Sequence, residues 1–169
     1  MKTSNRFYQL NYNAVLTYLV TFLFVLGNLV LPQLFHLIPE GGVKWLPLYF
    51  FTLIGAYKYG WKVGLLVAIF SPAINSLFFG MPLVSILPVI EMKSILLAFT
   101  AGFAAKRFGK VSILLLTGVV LTYQIIGSIG EWALNGSLIS ALQDFRIGIP
   151  GMLLQIVGGY LLIKYLINK

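Results

Sequence analysis

The chain has no cysteine, a single histidine and only four acidic residues, and each shortage removes a class of chemistry. Without cysteine there is no disulfide, no thiolate nucleophile and no cysteine metal site. His36 stands alone, so no histidine-rich metal spacing such as HExxH exists. A phosphate-cradling GxxxxGK loop and a GxSxG nucleophile elbow are also missing. The sequence therefore predicts no enzyme, no catalytic residues, no metal and no other cofactor. Charge is scarce overall: 9% of residues are charged, where a soluble domain carries roughly 25%.

Apolar residues fill the space, with 59% hydrophobic and 15% aromatic. That composition predicts an integral membrane protein whose first partner is the lipid bilayer. The length of 169 residues predicts one domain, spanning 1–169. A net charge of +8 could point to nucleic acid, but the bases sit at the ends of apolar segments rather than in a patch interleaved with stacking aromatics. No nucleic-acid partner is expected. The opening MKTSNRFYQLNYNAVLTYLV turns from basic to apolar without a small-residue cleavage site, which predicts a retained first helix.

Breaking the sequence at charges, prolines and glycines yields six apolar segments, near residues 10–37, 45–59, 61–79, 83–105, 111–133 and 147–167. A bilayer core of about 30 Å takes about 20 helical residues, so five segments are long enough and the second is short. A short span is tolerated beside a tilted neighbour or inside protein. The expected fold is an all-α integral membrane protein, a compact bundle of six transmembrane helices. Barrel strands would alternate with a period of two, and these segments do not. With the N-terminus inside, Lys2, Arg6, Lys58, Lys62, Lys106, Arg107, Lys110, Lys164 and Lys169 all fall on the inner side, and no acid does. The positive-inside rule then predicts a multi-pass protein of the plasma (inner) membrane with both termini cytoplasmic. The outer connections HLIPEGGVK and NGSLISALQDFR are the longer ones, where binding or gating is expected. Gly64 and Ala68, Ala98 and Gly102, and Ala101 and Ala105 have the small-xxx-small spacing that lets helices touch in lipid.

The stretch from Ser71 to Lys93 holds the polar atoms an apolar protein should be least willing to bury. Ionisable groups at membrane depth cost several kcal/mol unless they line a cavity or find partners, so Glu91 and Lys93 are candidate substrate-binding residues. The two point to different faces of a helix at a spacing of two. One is therefore expected to face the bundle while the other pairs elsewhere or reaches outward. Pro88 either bends this span and frees a carbonyl or simply opens it. Asn75 lies at similar depth with an amide that donates and accepts, useful to a ligand or as a helix-end cap. Glu131 and Trp132 close the fifth span, and Asp144 and Arg146 precede the sixth. Glu131, Trp132 and Arg146 complete the expected site, with Trp45 and Tyr49 as a lid from the other side. Trp132 is otherwise an interfacial anchor, and Asp144 and Arg146 are each either a loop residue or a group that closes over a ligand.

The chain as a whole resembles the substrate-binding S components of energy-coupling factor (ECF) vitamin transporters. The resemblance rests on six spans, short basic inner turns, a first outer loop feeding WLPLYFFTLIGAYKYGWKVG, the PAINSLFFGMP segment, an acidic residue opening the fourth span and the closing GIPGMLLQIVGGYLL. It implies capture of a vitamin or related micronutrient at the outer face, with ATP-driven uptake supplied by a T component and two ATPase subunits. The lack of any nucleotide motif agrees with borrowed energy. The chain departs from the family's AxxxA patch on the first span: Ala14 is followed four positions later by Tyr18, and Asn13, Thr17 and Thr21 form a polar stripe instead. Two other classes remain open, a structural or assembly subunit of a membrane complex and a self-contained small transporter.

Overall fold

The apolar segments fold into helices α1 (Val15–His36), α2 (Gly41–Trp45), α3 (Phe50–Tyr59), α4 (Trp61–Phe79), α5 (Leu87–Phe108), α6 (Ile113–Asn135), α7 (Leu138–Ala141), α8 (Gln143–Ile147), α9 (Ile149–Leu153) and α10 (Gly159–Asn168). A π turn over Leu154–Gly158 joins α9 to α10 without a break, and a 3-10 turn over Pro47–Tyr49 leads into α3. The structure is a computed structural model that describes residues 7–168, with side chains through Leu166, and no strand forms among them. Lys2, Arg6 and Lys169, three of the bases assigned to the inner side, lie outside the described residues.

Five stretches, Val15–His36, Trp61–Phe79, Leu87–Phe108, Ile113–Asn135 and Ile149–Leu166, are long and apolar enough to cross a membrane. Their solvent distribution is that of a membrane protein. Leu16, Leu19, Phe22, Phe103, Leu114 and Leu161 point outward, while Thr17, Asn28, Thr52, Ser71, Asn75, Ser94 and Gln124 are buried. A soluble protein would bury the first set and wet the second. On α6 the buried residues Leu116, Val119, Val120, Tyr123, Gln124, Gly127, Ser128 and Glu131 recur at steps of three and four, one face of a helix. Its start is capped by the Ser112 hydroxyl, which accepts from the Leu115 amide at 3.2 Å.

The second segment departs from a spanning helix. Its α3 has 10 residues, which at 1.5 Å each covers about 15 Å, half a bilayer core. Thr52 through Lys58 are buried without interruption, so α3 touches protein on every side, packed among α1, α4, α5 and α10. It reverses into α4 through the single residue Gly60, whose φ of +101° suits glycine alone. An added Cβ there would also lie 3.3 Å from the Tyr8 carbonyl, because residues 8–10 cross over this turn. The Tyr8 and Leu10 amides donate to the carbonyls of Lys58 and Tyr59. Pro88 sits in the first turn of α5, where its missing amide costs nothing, so it opens that helix rather than bending it.

The two ends of the bundle differ in charge. Lys58, Lys62, Lys106, Arg107, Lys110 and Lys164 gather where α3 turns into α4, α5 ends and α10 finishes; the Tyr57 hydroxyl bonds the Lys110 carbonyl across this end at 2.7 Å. All four acids, Glu40, Glu91, Glu131 and Asp144, belong to the opposite end.

Candidate functional site

At the acidic end, the close of α1, the α2–Tyr49 segment, the start of α5, the close of α6 and helices α7 and α8 surround a cavity of about 230 Å³. Pro32, Leu46, Pro47, Tyr49, Val89 and Ile90 give it apolar walls; His36, Asn135, Ser140 and Gln143 supply neutral or rim polar groups. The volume falls below the roughly 300–1,000 Å³ of pockets for drug-sized ligands, so it suits a smaller molecule.

Its charged centre is built from three elements. Lys93 on α5 reaches Glu131 on α6, Nζ to Oε2, at 2.6 Å, and Asp144 on α8, Nζ to Oδ2, at 2.8 Å. Lys93 is 3% exposed, and Glu131 and Asp144 are each 8% exposed. The Ser140 hydroxyl donates to Glu131 Oε1 at 3.0 Å. Gly127 makes the reach possible: a Cβ there would lie 2.7 Å from Lys93 Cγ, so the lysine stem lies directly on the α6 backbone, one turn before Glu131.

The wall opposite is held by backbone contact. Leu46 adopts the left-handed conformation, φ 47° and ψ 47°, which costs a non-glycine residue about 1–2 kcal/mol. That conformation switches α2 into the Pro47–Tyr49 turn and aims both segments at the cavity. It is clamped from behind by α9, where a Cβ on Gly151 would lie 2.5 Å from the Trp45 carbonyl oxygen. Tyr49 is buried with its ring 5.6 Å from that of Tyr123. Tyr123 donates to Gln155 Oε1 at 2.9 Å within the π turn, and such turns recur at functional sites.

Of the residues expected from sequence, Lys93 and Glu131 line this cavity, as do Asp144 and the lid residue Tyr49. Trp45 stands behind the wall, half-buried, with its ring stacked on Phe35 at 5.1 Å. Arg146 is exposed on α8, outside the lining. Trp132 is 51% exposed and borders a separate hollow of about 190 Å³ with Ser128, Leu138 and Phe145. Glu91 is half-buried and does not reach the cavity, because Val89, Lys93, Ser94 and Leu97 define the inward face of α5. Asn75 is fully buried away from it; its amide donates to the Asn28 carbonyl at 2.8 Å and to the Ser71 carbonyl at 3.1 Å.

Asn75 thus belongs to a second polar cluster. Asn28 Nδ2 donates to the Leu48 carbonyl at 2.9 Å and to Ser71 Oγ at 3.2 Å, while its Oδ1 accepts from the Phe51 amide at 3.3 Å. Thr52 and Ser94 extend the network to α5, their hydroxyls 3.4 Å apart. Asn28 satisfies an amide in the first turn of α3 that has no partner within its own helix. Sequence reasoning passes over Asn28, Ser140 and Gln143, and leaves Asp144 open between a loop residue and one that closes over a ligand. A lone amide in the apolar run VLGNLVLP was the available signal for Asn28. Among the described residues, no three His, Asp or Glu side chains come together as a metal site. No protein-family model, curated protein or solved structure matches the chain.

Proposed function

We propose that the chain is the membrane-embedded substrate-binding subunit of an ECF-type importer. It captures a small micronutrient at the outer face of the plasma membrane, and a T component with two ATPase subunits drives uptake. The observation that carries this reading is the cavity itself, with buried Lys93, Glu131 and Asp144 at its centre and the basic cluster at the other end of the bundle. Buried charge at membrane depth is expensive and marks a ligand or ion path by default. If the basic end is cytoplasmic, as lysine and arginine bias dictates, the cavity opens outward and both termini lie inside. The sheltered α3 then serves as the sixth crossing, aided by the turn before it.

The test has two arms. Reporters placed near residues 60 and 108 should read cytoplasmic, and those near 41 and 138 external. Purified protein should retain a small molecule detectable by mass spectrometry after mild detergent extraction and show no ATPase activity, and uptake should need partner subunits. Concentrative uptake by this chain alone in partner-free vesicles would instead establish a self-contained transporter. The Asn28 network favours a second reading, a structural subunit whose polar residues tie helices together. That reading predicts copurification with envelope proteins and an empty cavity.

A further inference from the structure

Accepting that the cavity captures a ligand, its charge balance indicates which kind. One ammonium, Lys93, faces two carboxylates, Glu131 and Asp144, and all three residues are buried, their side chains 3%, 11% and 12% exposed. The other lining residues bring no formal charge except His36, which is exposed at the rim. Arg146 lies outside the lining, and Lys44 is engaged 2.9 Å from Glu40 on the surface. With both acids ionised, the centre carries one excess negative charge in a poorly solvated place.

The contacts show where that excess is available. Lys93 is committed: its stem lies on Gly127 and its ammonium is shared between the two carboxylates. Glu131 uses Oε2 on Lys93 and Oε1 on Ser140. Asp144 uses Oδ2 on Lys93, and its Oδ1 takes no hydrogen bond among the described residues. A lone charge in low dielectric is stabilised most by an opposite charge that brings its own donors. Leu46, Pro47 and aromatic Tyr49, together with Val89 one turn before Lys93 on α5, offer apolar surface and a ring that also attracts cations.

We propose that the cavity selects a small amphipathic organic cation. Its positively charged nitrogen head would donate to Asp144 Oδ1, and its apolar body, a single ring or a short branched chain, would lie against Leu46, Pro47, Tyr49 and Val89. An anionic ligand of the same shape is rejected because it meets two carboxylates whose only cation is already held.

The test uses the full-length protein in mild detergent and four probes of matched shape: benzylamine and benzamidine as cations, benzyl alcohol as the neutral form and benzoate as the anion. The cations should raise the melting temperature with saturable dependence on concentration, and benzyl alcohol less; benzoate should not. Asp144→Asn should weaken the cation response on the order of tenfold or more, and Glu40→Gln on the surface should leave it intact. Should Asp144→Asn fail to fold, Glu131→Gln removes the same excess charge and is expected to act in the same direction. Any molecule extracted with the protein should be cationic at neutral pH. Equal or stronger stabilisation by benzoate, or an extracted ligand that is neutral or anionic, overturns the cation assignment while leaving ligand capture standing. Silence from all four probes overturns it too; silence together with an empty extract removes the capture reading as well.

Discussion

The protein buries two polar clusters, and they solve the same problem differently. The Asn28, Thr52, Ser71, Asn75 and Ser94 cluster is neutral, lies between helices and spends its hydrogen bonds on neighbouring backbone and hydroxyls. The Lys93, Glu131 and Asp144 cluster is charged, unbalanced and borders open volume. Neutral amides and hydroxyls that bond one another across α1, α3, α4 and α5 act as ties; the buried Asn75 Oδ1 has no partner among the described residues, but Asn75 lies outside the cavity lining. A charged group with a carboxylate oxygen to spare beside a cavity leaves something over. The distinction that separates a strut from a site here is charge with bonding capacity to spare at the edge of a cavity.

Four substitutions probe that contrast, in falling order of effect on thermal unfolding in detergent. Lys93→Met leaves two buried carboxylates facing each other and should cost about 3–5 kcal/mol. Adding Glu131→Gln and Asp144→Asn should recover much of that loss, and failure to recover would mean the lysine acts through packing alone. Asn28→Leu strips the bonds to Leu48 and Ser71 and orphans the Phe51 amide, for about 2–3 kcal/mol. Removing charge elsewhere should not rescue it. Gly127→Ala pushes a methyl into the Lys93 stem and should cost about 1–3 kcal/mol; it should also displace the ammonium, so that probe binding changes together with stability. Glu91→Gln should change stability by under about 0.5 kcal/mol, because Glu91 forms no ion pair among the described residues. A large loss at Glu91 would erase the distinction between it and the paired acids Glu131 and Asp144.

The long helices were legible because length and hydropathy act residue by residue. The expected segment 61–79 coincides with α4, and 111–133 lies within two residues of Ile113–Asn135. The second segment was read as a short span over 45–59, but the left-handed Leu46 divides it, and a single residue's conformation leaves no trace in hydropathy. At the site, the cost of burying charge singled out Lys93, Glu91 and Glu131 but could not orient them. The orienting signal was nevertheless present: stepping back from Ala101 and Ala98 in fours reaches Leu97, Ser94 and Lys93, never Glu91. Asp144 stays open in the sequence between a loop acid and a ligand contact because its partner lies 51 positions away. Asn75 has the chemistry of a ligand contact, and its commitment to Asn28 depends on how α1 and α4 cross.

Helix α3 has a consequence for how the molecule is made. Ten residues with the buried Lys58 in the last turn cannot hold a stable position alone in hydrocarbon as the chain leaves the ribosome. The one-residue reversal at Gly60 ties α3 to the long, apolar α4, so an α3 that enters the bilayer does so in a hairpin anchored by α4. Even then α3 stays partly open until α5, and finally α10, have been synthesised to cover it. The order of synthesis is therefore an order of shelter, and a ribosome stalled between α4 and α5 would leave a half-wrapped helix for quality-control proteases to find.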